Sequence, residues 1–423
     1  MELTMPVTID ELSNMAEFGG GGERRASVTF LPEPERRAVF CPVISTDDHI
    51  VEPPHMWEGR FPSRYADAAP RVVDTDDGGQ RWLWDGQLIA NVGFNAVAGR
   101  PSSEYGFEPT RFDEMRRGAW DIDARLADMD INGVWASVCF PSFLPGFVGQ
   151  RISLAPSDPD LGMAAMRAWN DWMLEEWCGR DPDRMVPLQL PWLRDPHVAA
   201  AEVRHNAARG FKAVSFSESP DKLGLPSIHT GYWDPFLAAC EETETVVCLH
   251  VGSSSTSPST TPDAPPEVIA VLFFAYGMYA AVDWLYSRIP VRFPRLKICM
   301  SEGGIGWVAA LMDRLDHCFD YQMGYLHTWE GVAEAPAEVL ARSFWWCALD
   351  DESSWATRHR IGVDHIVVES DYPHADSTWP DTQPLLRAHL AGMPDDEVRK
   401  VCHENAAALF RHPLPPGDLV REV

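Results

Sequence analysis

The chain alternates short apolar runs with longer stretches in which apolar residues recur at helical spacing. Short apolar runs that end in polar residues are typical of buried parallel strands. We predict eight such strands: Val43–Thr46, Val134–Phe140, Val186–Leu190, Ala213–Phe216, Thr245–Leu249, Leu296–Met300, Phe344–Ala348 and Ile366–Glu369.

The stretches between these strands have the length and periodicity of amphipathic helices. The predicted helices are Asp121–Asn132, Ala164–Trp177, Pro196–Arg209, Trp233–Glu241, Pro265–Ile289, Trp307–Gly324 and Asp395–Arg411. Strands that alternate with helices in this way predict parallel βαβ units and an α/β fold, a distorted (β/α)8 TIM barrel. A doubly wound open sheet is the alternative.

The chain has 423 residues, whereas a plain barrel needs about 250. The surplus is assigned to an N-terminal arm (1–40), a lid-like insertion after the first strand (51–120) and a C-terminal tail (413–423), with the barrel spanning 41–412. Asp85-Gly86 within the insertion predicts a tight hairpin turn. We expect the insertion to cover the mouth of the barrel and the arm to wrap the body or a partner subunit.

The charge balance is strongly acidic, with 35 Lys plus Arg against 63 Asp plus Glu and a formal net charge of −28. This balance repels phosphate backbones and anionic lipids, which argues against nucleic-acid and membrane partners. No stretch reaches the roughly 18 uncharged apolar residues of a membrane span, and no secretory signal is recognisable. Nine cysteines without a CxxC pair predict free thiols and a cytoplasmic location.

Polar side chains with metal-binding atoms stand at the carboxyl ends of four predicted strands. Asp47 and His49 are two residues apart at the end of the first strand, so alternation puts both on the inward face. His250 ends the fifth strand, Glu302 the sixth and Asp371 the eighth. Active sites of barrel enzymes are assembled at this rim.

Two imidazoles with two or three carboxylates suit a divalent ion such as Zn²⁺, Fe²⁺ or Mn²⁺, one or two per chain. Mg²⁺ and Ca²⁺ prefer shells made of oxygen alone. A bound ion lowers the pKa of its water towards about 7 and polarises a carbonyl, which is the chemistry of a hydrolase. A single strand-end His is more often an ordinary buried polar residue, but four strand ends together favour the metal site.

The strand-end residues lie within a series of motifs that run in order from about residue 43 to 411. The motifs are Ser45–Pro54, Arg125–Asp130 with Gly133-Val134, Asn170–Trp172, Gly210–Lys212, Leu249–Gly252, Arg292–Lys297, Ser301–Trp307, Glu369–His374 and Asn405–Ala407. This series resembles the amidohydrolase superfamily, in its amidohydrolase 2 or aminocarboxymuconate-semialdehyde decarboxylase-like branch.

The resemblance implies that Asp47, His49, His250 and Asp371 bind the metal and that Asp371 also handles the proton of a metal-bound water. Many decarboxylases of the branch have a His at the end of strand six, where this chain has Glu302. A carboxylate cannot act as a cation opposite a substrate carboxylate, so this difference weakens the decarboxylase interpretation. Glu302 could bind a second ion in a binuclear centre, act as general base, or hold another ligand in place.

Four further residues are candidates for the site. His374, three residues after Asp371, could be an additional ligand or a general acid, or it could cap its own loop. Phe143, Trp307 and Trp379 are candidate walls of a substrate pocket, with core packing as the alternative.

These observations predict a metal-dependent hydrolase in which activated water cleaves an amide, ester, lactone or thioester of a bulky apolar acid. Asp371, Glu302 and His374 are its candidate catalytic residues. The alternative is a metal-dependent non-oxidative decarboxylase or lyase of an aromatic or enoic acid. A metal-binding scaffold without catalysis is a third hypothesis. The partners expected are a small-molecule substrate and further copies of the chain, as a homodimer or higher homo-oligomer.

Overall fold

A computed structural model describes residues 7–8, 28–89, 92–93, 95–106, 109–261, 263–321, 324 and 327–420. The strands, in chain order, are β1 (Val7–Thr8), β2 (Val43–His49), β3 (Arg71–Asp74), β4 (Gln80–Trp84), β5 (Gln87–Ile89), β6 (Val134–Phe140), β7 (Met185–Val186), β8 (Leu188–Gln189), β9 (Ala213–Ser217), β10 (Val246–His250), β11 (Thr256–Ser257), β12 (Ile298–Ser301), β13 (Phe344–Ala348) and β14 (Ile366–Val368).

The predicted barrel strands form one parallel sheet in the order β7-β6-β2-β14-β13-β12-β10-β9-β8. Its two edge strands, β7 and β8, are separated along the chain by Pro187 alone. Proline has no N–H to donate, so the ladder is interrupted there. The segment nevertheless pairs with β6 before the proline and with β9 after it. The sheet therefore begins and ends on one segment, which is the arrangement of a barrel distorted at Pro187 and confirms the predicted fold.

Helices follow the barrel strands and cover the outside of the sheet. They are α1 (Ile122–Asn132), α2 (Gln150–Leu154), α3 (Pro159–Trp172), α4 (Pro196–Arg209), α5 (Asp234–Thr243), α6 (Pro266–Leu272), α7 (Ala275–Tyr286), α8 (Ile289–Arg292), α9 (Gly306–Tyr321), α10 (Pro336–Ser343), α11 (Arg358–Ile361), α12 (Thr382–His389), α13 (Asp395–Arg399) and α14 (Asn405–Phe410). The helix predicted at 265–289 is in fact divided into α6, α7 and the start of α8.

The insertion after the first barrel strand contains a small antiparallel sheet in the order β3-β4-β5. Asp85 and Gly86 join β4 to β5 with φ angles of 46° and 76°, as a tight hairpin turn requires. Trp82 and Trp84 on β4 are buried in the main hydrophobic core. The insertion is thus anchored to the barrel by apolar packing.

The described part of the N-terminal segment lies against the barrel. The backbone of β1 pairs antiparallel with β11, and Leu31 donates its N–H to the Gly99 carbonyl at 2.8 Å. Arg37 forms an ion pair of 2.7 Å with Asp381. The boundaries of arm, barrel and tail stay predictions. Within the described ranges, no helix combines the length and apolarity needed to cross a membrane.

Candidate metal centre

The end of β2 presents two inward-facing donors. Asp47 and His49 are buried, and the pairing of β2 with β6 shifts its register between Ser45 and Asp48. An irregularity of this kind re-aims side chains, as bulges beside active sites commonly do. Asp48 lies between the two donors and so faces the other side of the strand, where it accepts a hydrogen bond from the Ser370 hydroxyl at 2.6 Å.

The imidazoles of His49 and His250 point at one another across the mouth of the barrel. Their Nε2 atoms are 3.1 Å apart, and Nδ1 of His250 lies 2.7 Å from the Val251 carbonyl. A carbonyl only accepts, so the proton of His250 lies on Nδ1 and its Nε2 presents a lone pair. Burial lowers the pKa of His250 to about 3, which keeps the ring neutral, as a metal ligand must be.

Carboxylates complete the ring of donors around these nitrogens. The Asp47 oxygens lie 3.4 Å from His49 Nε2 and 3.4 Å from His250 Nε2. Asp371 Oδ1 is also 3.4 Å from His49 Nε2. Neither Asp47 nor Asp371 has a hydrogen-bond partner on its buried oxygens among the described residues. Burial, together with nearby carboxylates, raises the pKa of both groups well above the usual value.

Glu302 reaches the same centre from the end of β12. Its Oε2 lies 3.2 Å from His250 Nε2, and its backbone N–H donates to Glu369 at 3.1 Å. The backbone of Glu302 is left-handed, with φ of 54°, as is that of Asp371 at 50°. Such backbone strain is concentrated at functional sites. Burial, followed by the charges of Asp371, Asp376 and Glu369, raises the pKa of Glu302 well above normal.

His374 joins the cluster through space. Its Nδ1 lies 3.1 Å from Asp371 Oδ1, and its ring stacks on His49 with centroids 3.8 Å apart. Burial lowers the pKa of His374 to about 3. The structure therefore supplies an imidazole at the centre from the loop after β14.

These donors fit a divalent metal ion. Atoms bound at about 2.1 Å to one ion lie roughly 3.0 to 3.4 Å from one another, which matches the distances between the imidazole nitrogens and carboxylate oxygens. Neutral nitrogens and unpartnered carboxylate oxygens, all buried, are costly without a cation among them. Two groups have ligand atoms close enough to share an ion: Asp47 with His49 and His250, and His49 with Asp371 and His374.

Several residues of the site were not predicted from the sequence. Phe147 lies over both imidazoles, with ring centroids 4.3 Å from His250 and 5.1 Å from His49. Arg125 is buried behind His49 and donates to the His49 carbonyl. Glu369 is also buried. Its position two residues before Asp371 could have indicated it, because residues two apart on a strand share a face. Phe147 gave no such signal, because a loop brings it to the site.

The predicted pocket residues lie in different surroundings. Phe143 borders a narrow pocket beside Phe147. Trp307 is largely buried, and its Nε1 donates to the Gly303 carbonyl at 2.8 Å. The Trp379 Nε1 donates to the backbone of Asp128 at 3.1 Å. Substrate contact by any of the three stays a prediction, and core or surface packing accounts for the two tryptophans.

The family model of the amidohydrolases matches residues 55–412, and the chain belongs to this amidohydrolase family. No curated protein matches the chain.

Solved structures share the fold at low sequence identity. An amidohydrolase from Mycobacterium avium subsp. paratuberculosis is 23% identical with a TM-score of 0.66, over 88% of this chain and 100% of its own. The 5-carboxyvanillate decarboxylase from Sphingomonas paucimobilis is 20% identical with a TM-score of 0.62, over 88% and 100%. A dihydroxybenzoic acid decarboxylase from Polaromonas sp. JS666, with bound manganese and the inhibitor 2-nitroresorcinol, is 16% identical with a TM-score of 0.57, over 88% and 97%.

Proposed function

We propose that the protein is a metal-dependent, non-oxidative decarboxylase of an aromatic or enoic acid. The observation that carries the proposal is the buried convergence of two neutral imidazoles with unpartnered carboxylates at the barrel mouth. Structural neighbours named for a reaction on 5-carboxyvanillate or dihydroxybenzoic acid support the choice of decarboxylation.

This proposal corrects the hydrolase expected from the sequence, which is wrong because the neighbours with a named reaction are decarboxylases. The hydrolase interpretation relied on metal-activated water and on Glu302, which stands where many decarboxylases of the branch have an imidazole. In the structure the ring of His374 lies beside that of His49, with centroids 3.8 Å apart. An imidazole is thus present at the centre, although it comes from a different strand end.

The residues that would hold the metal are Asp47, His49, His250, Asp371 and Glu302. Mn²⁺ suits their mixture of nitrogen and oxygen donors and is bound by a structural neighbour. The ion would anchor an oxygen of the substrate and offset negative charge. The prediction of one or two ions per chain is tested by metal analysis of the purified protein, which gives the number bound.

Decarboxylation breaks the bond between the carboxyl carbon and the substrate carbon and leaves the electron pair on the latter. That carbon then takes a proton, so the site needs a proton donor. We assign this role to Asp371 with His374 beside it, since Oδ1 and Nδ1 lie 3.1 Å apart.

Phe147 and Phe140 form an apolar cover over the imidazoles. Phe140 lies 5.0 Å from His250, measured between ring centroids, and the Phe147 backbone is held by a 2.5 Å hydrogen bond from Ser215. The two imidazoles are at most 1% exposed, and shielding from water strengthens electrostatic interactions. An apolar lining of this kind would favour an aromatic substrate over a polar one.

The test measures CO2 release by manganese-loaded protein from a panel of hydroxylated aromatic and enoic acids. We expect release from at least one acid and a fall of about 10²- to 10⁴-fold in the D371N variant. The D396N variant, which changes an exposed carboxylate on α13, is the matched control and should retain full activity. Equal activity of D371N and D396N would contradict the proposed role of Asp371.

A further inference from the structure

A second concavity lies beside the metal centre, on the next sector of the barrel rim. Its volume is 690 Å³, which is within the usual range for small-molecule sites. Glu218 directly follows β9, whose Ser217 pairs with His250 of β10. The lining residues on which the inference depends are Glu218, Ser254, Thr256, Tyr276, Tyr279 and Tyr286.

Glu218 is the buried charged group of this cavity, with 2% of its surface exposed. Its two carboxylate oxygens accept hydrogen bonds from the hydroxyls of Ser253 and Ser254, the latter at 2.6 Å. The Ser254 hydroxyl is in turn 2.8 Å from that of Thr256. Donors directed at both oxygens stabilise the ionised form of a carboxylate.

No cationic side chain of the described residues forms an ion pair with Glu218. Lys222, which also lines the cavity, is exposed, and Asp283 is paired with His229 at 2.6 Å. A buried carboxylate without a cation is costly. Burial accordingly raises the pKa of Glu218, and a bound cation would offset that effect.

The remaining walls are aromatic and apolar. Tyr276 and Tyr279 on α7 have ring centroids 6.3 Å apart with planes inclined by 50°, and Tyr286 follows on the same helix. The faces of aromatic rings attract organic cations, most strongly when solvent is excluded. A carboxylate among tyrosines therefore favours a ligand with a positive head and an apolar body.

We propose that this cavity binds a small organic ammonium ion, with the nitrogen at Glu218 and the apolar part against Tyr276 and Tyr279. The site is additional to the proposed decarboxylase centre and takes no part in the chemistry assigned to it. It would give the protein a means to recognise a second molecule beside the metal centre.

The test is calorimetric titration of the manganese-loaded full chain with choline and with its neutral isostere 3,3-dimethylbutan-1-ol. We expect choline to bind at least tenfold more tightly than the alcohol, because only choline carries the charge. The E218Q variant should lose at least tenfold in choline affinity, whereas E267Q, which changes an exposed carboxylate on α6, should bind as the wild type does.

A second pair of variants keeps the test decisive if E218Q does not fold. Tyr279 and Tyr321 are both surface tyrosines, 61% and 77% exposed, and only Tyr279 lines the cavity. Y279L should weaken choline binding several-fold and Y321L should not. Equal binding of choline and the alcohol, no binding of either, or equal effects of the paired variants would overturn the proposal. None of these readouts depends on CO2 release, so failure of the decarboxylase proposal would be recognised separately.

Discussion

At the scale of single residues, the metal centre depends on which ring nitrogen carries a proton. The Val251 carbonyl holds the proton of His250 on Nδ1 and thereby leaves Nε2 free to bind an ion. The sequence does not predict this contact, because the direction of the Val251 carbonyl depends on the shape of the loop after β10.

Replacement of His250 tests the ligand set. We expect H250N to weaken manganese binding by at least about 100-fold, because even the outer partners of ligands contribute 10- to 100-fold. H412N is the control: His412 is also buried, but its Nε2 is hydrogen-bonded to the Asp183 carbonyl at 2.8 Å, away from the centre. Competition titration with a metal indicator measures both, and unchanged affinity in H250N would remove His250 from the site.

The pH dependence of metal binding distinguishes protonation of the carboxylate ligands from protonation of the imidazole ligands. The pKa values of Asp47, Asp371 and Glu302 are raised, chiefly by burial, so protons compete with the metal as the pH falls. The pKa of His250 is lowered to about 3, so this ring does not compete until far below neutral pH.

We therefore expect manganese to raise the melting temperature more at pH 8 than at pH 5. Apparent affinity should fall about tenfold per pH unit for each proton displaced. Thermal denaturation with and without manganese across this range measures the effect. Equal stabilisation by manganese at pH 8 and at pH 5 would show that protons on these carboxylates do not compete with the metal and would contradict this account.

At the scale of elements, helix α1 is attached to the metal-bearing strand by Arg125. Its guanidinium donates to the carbonyls of His49 and Gly118, the latter at 2.8 Å, and lies 4.4 Å from the Tyr372 ring centroid. Burial raises the pKa of Asp48, and the charge of Arg125 partly offsets that rise. The cation thus joins α1 to the ends of β2 and β14.

Loss of this buried cation should destabilise the fold. We expect R125M to reduce the free energy of unfolding by about 2–6 kcal/mol, because it leaves two buried carbonyls without a donor at about 1–3 kcal/mol each. R117M, at a position whose side chain is 70% exposed and pairs with Asp121, should cost under about 1 kcal/mol. Urea denaturation of both variants measures this, and similar losses would contradict the attachment role.

The elements themselves were largely predictable. Apolar runs separated by amphipathic stretches indicated the barrel strands and most helices, because burial on both faces leaves a clear pattern. The end of the first strand was predicted at Thr46, whereas β2 continues to His49. The apolar pattern stops where polar residues begin, so it does not show that the strand continues. In β2 those polar residues include Asp47 and His49 of the metal centre. The division of the helix predicted at 265–289 had no comparable signal.

At the scale of the whole molecule, the strand ends predicted the donors but did not predict the chemistry. Asp47, His49, His250, Glu302 and Asp371 do converge, because parallel strands in a barrel end at one rim. The position of His374 follows from the turn after β14, and that of Phe147 follows from the loop after β6. Periodic patterns do not determine the shapes of these loops, so the residue at the end of strand six could not by itself determine the chemistry.

The central claim is that the metal centre removes a carboxyl group and replaces it with a proton. The most direct measurement is turnover of the acid panel in D2O by manganese-loaded protein, followed by mass spectrometry of the product and quantification of CO2. We expect one CO2 released and one deuterium gained at the vacated carbon per product molecule, and no turnover after the metal is removed with a chelator. No CO2 from any acid of the panel, or CO2 release unaffected by metal removal, would contradict the account.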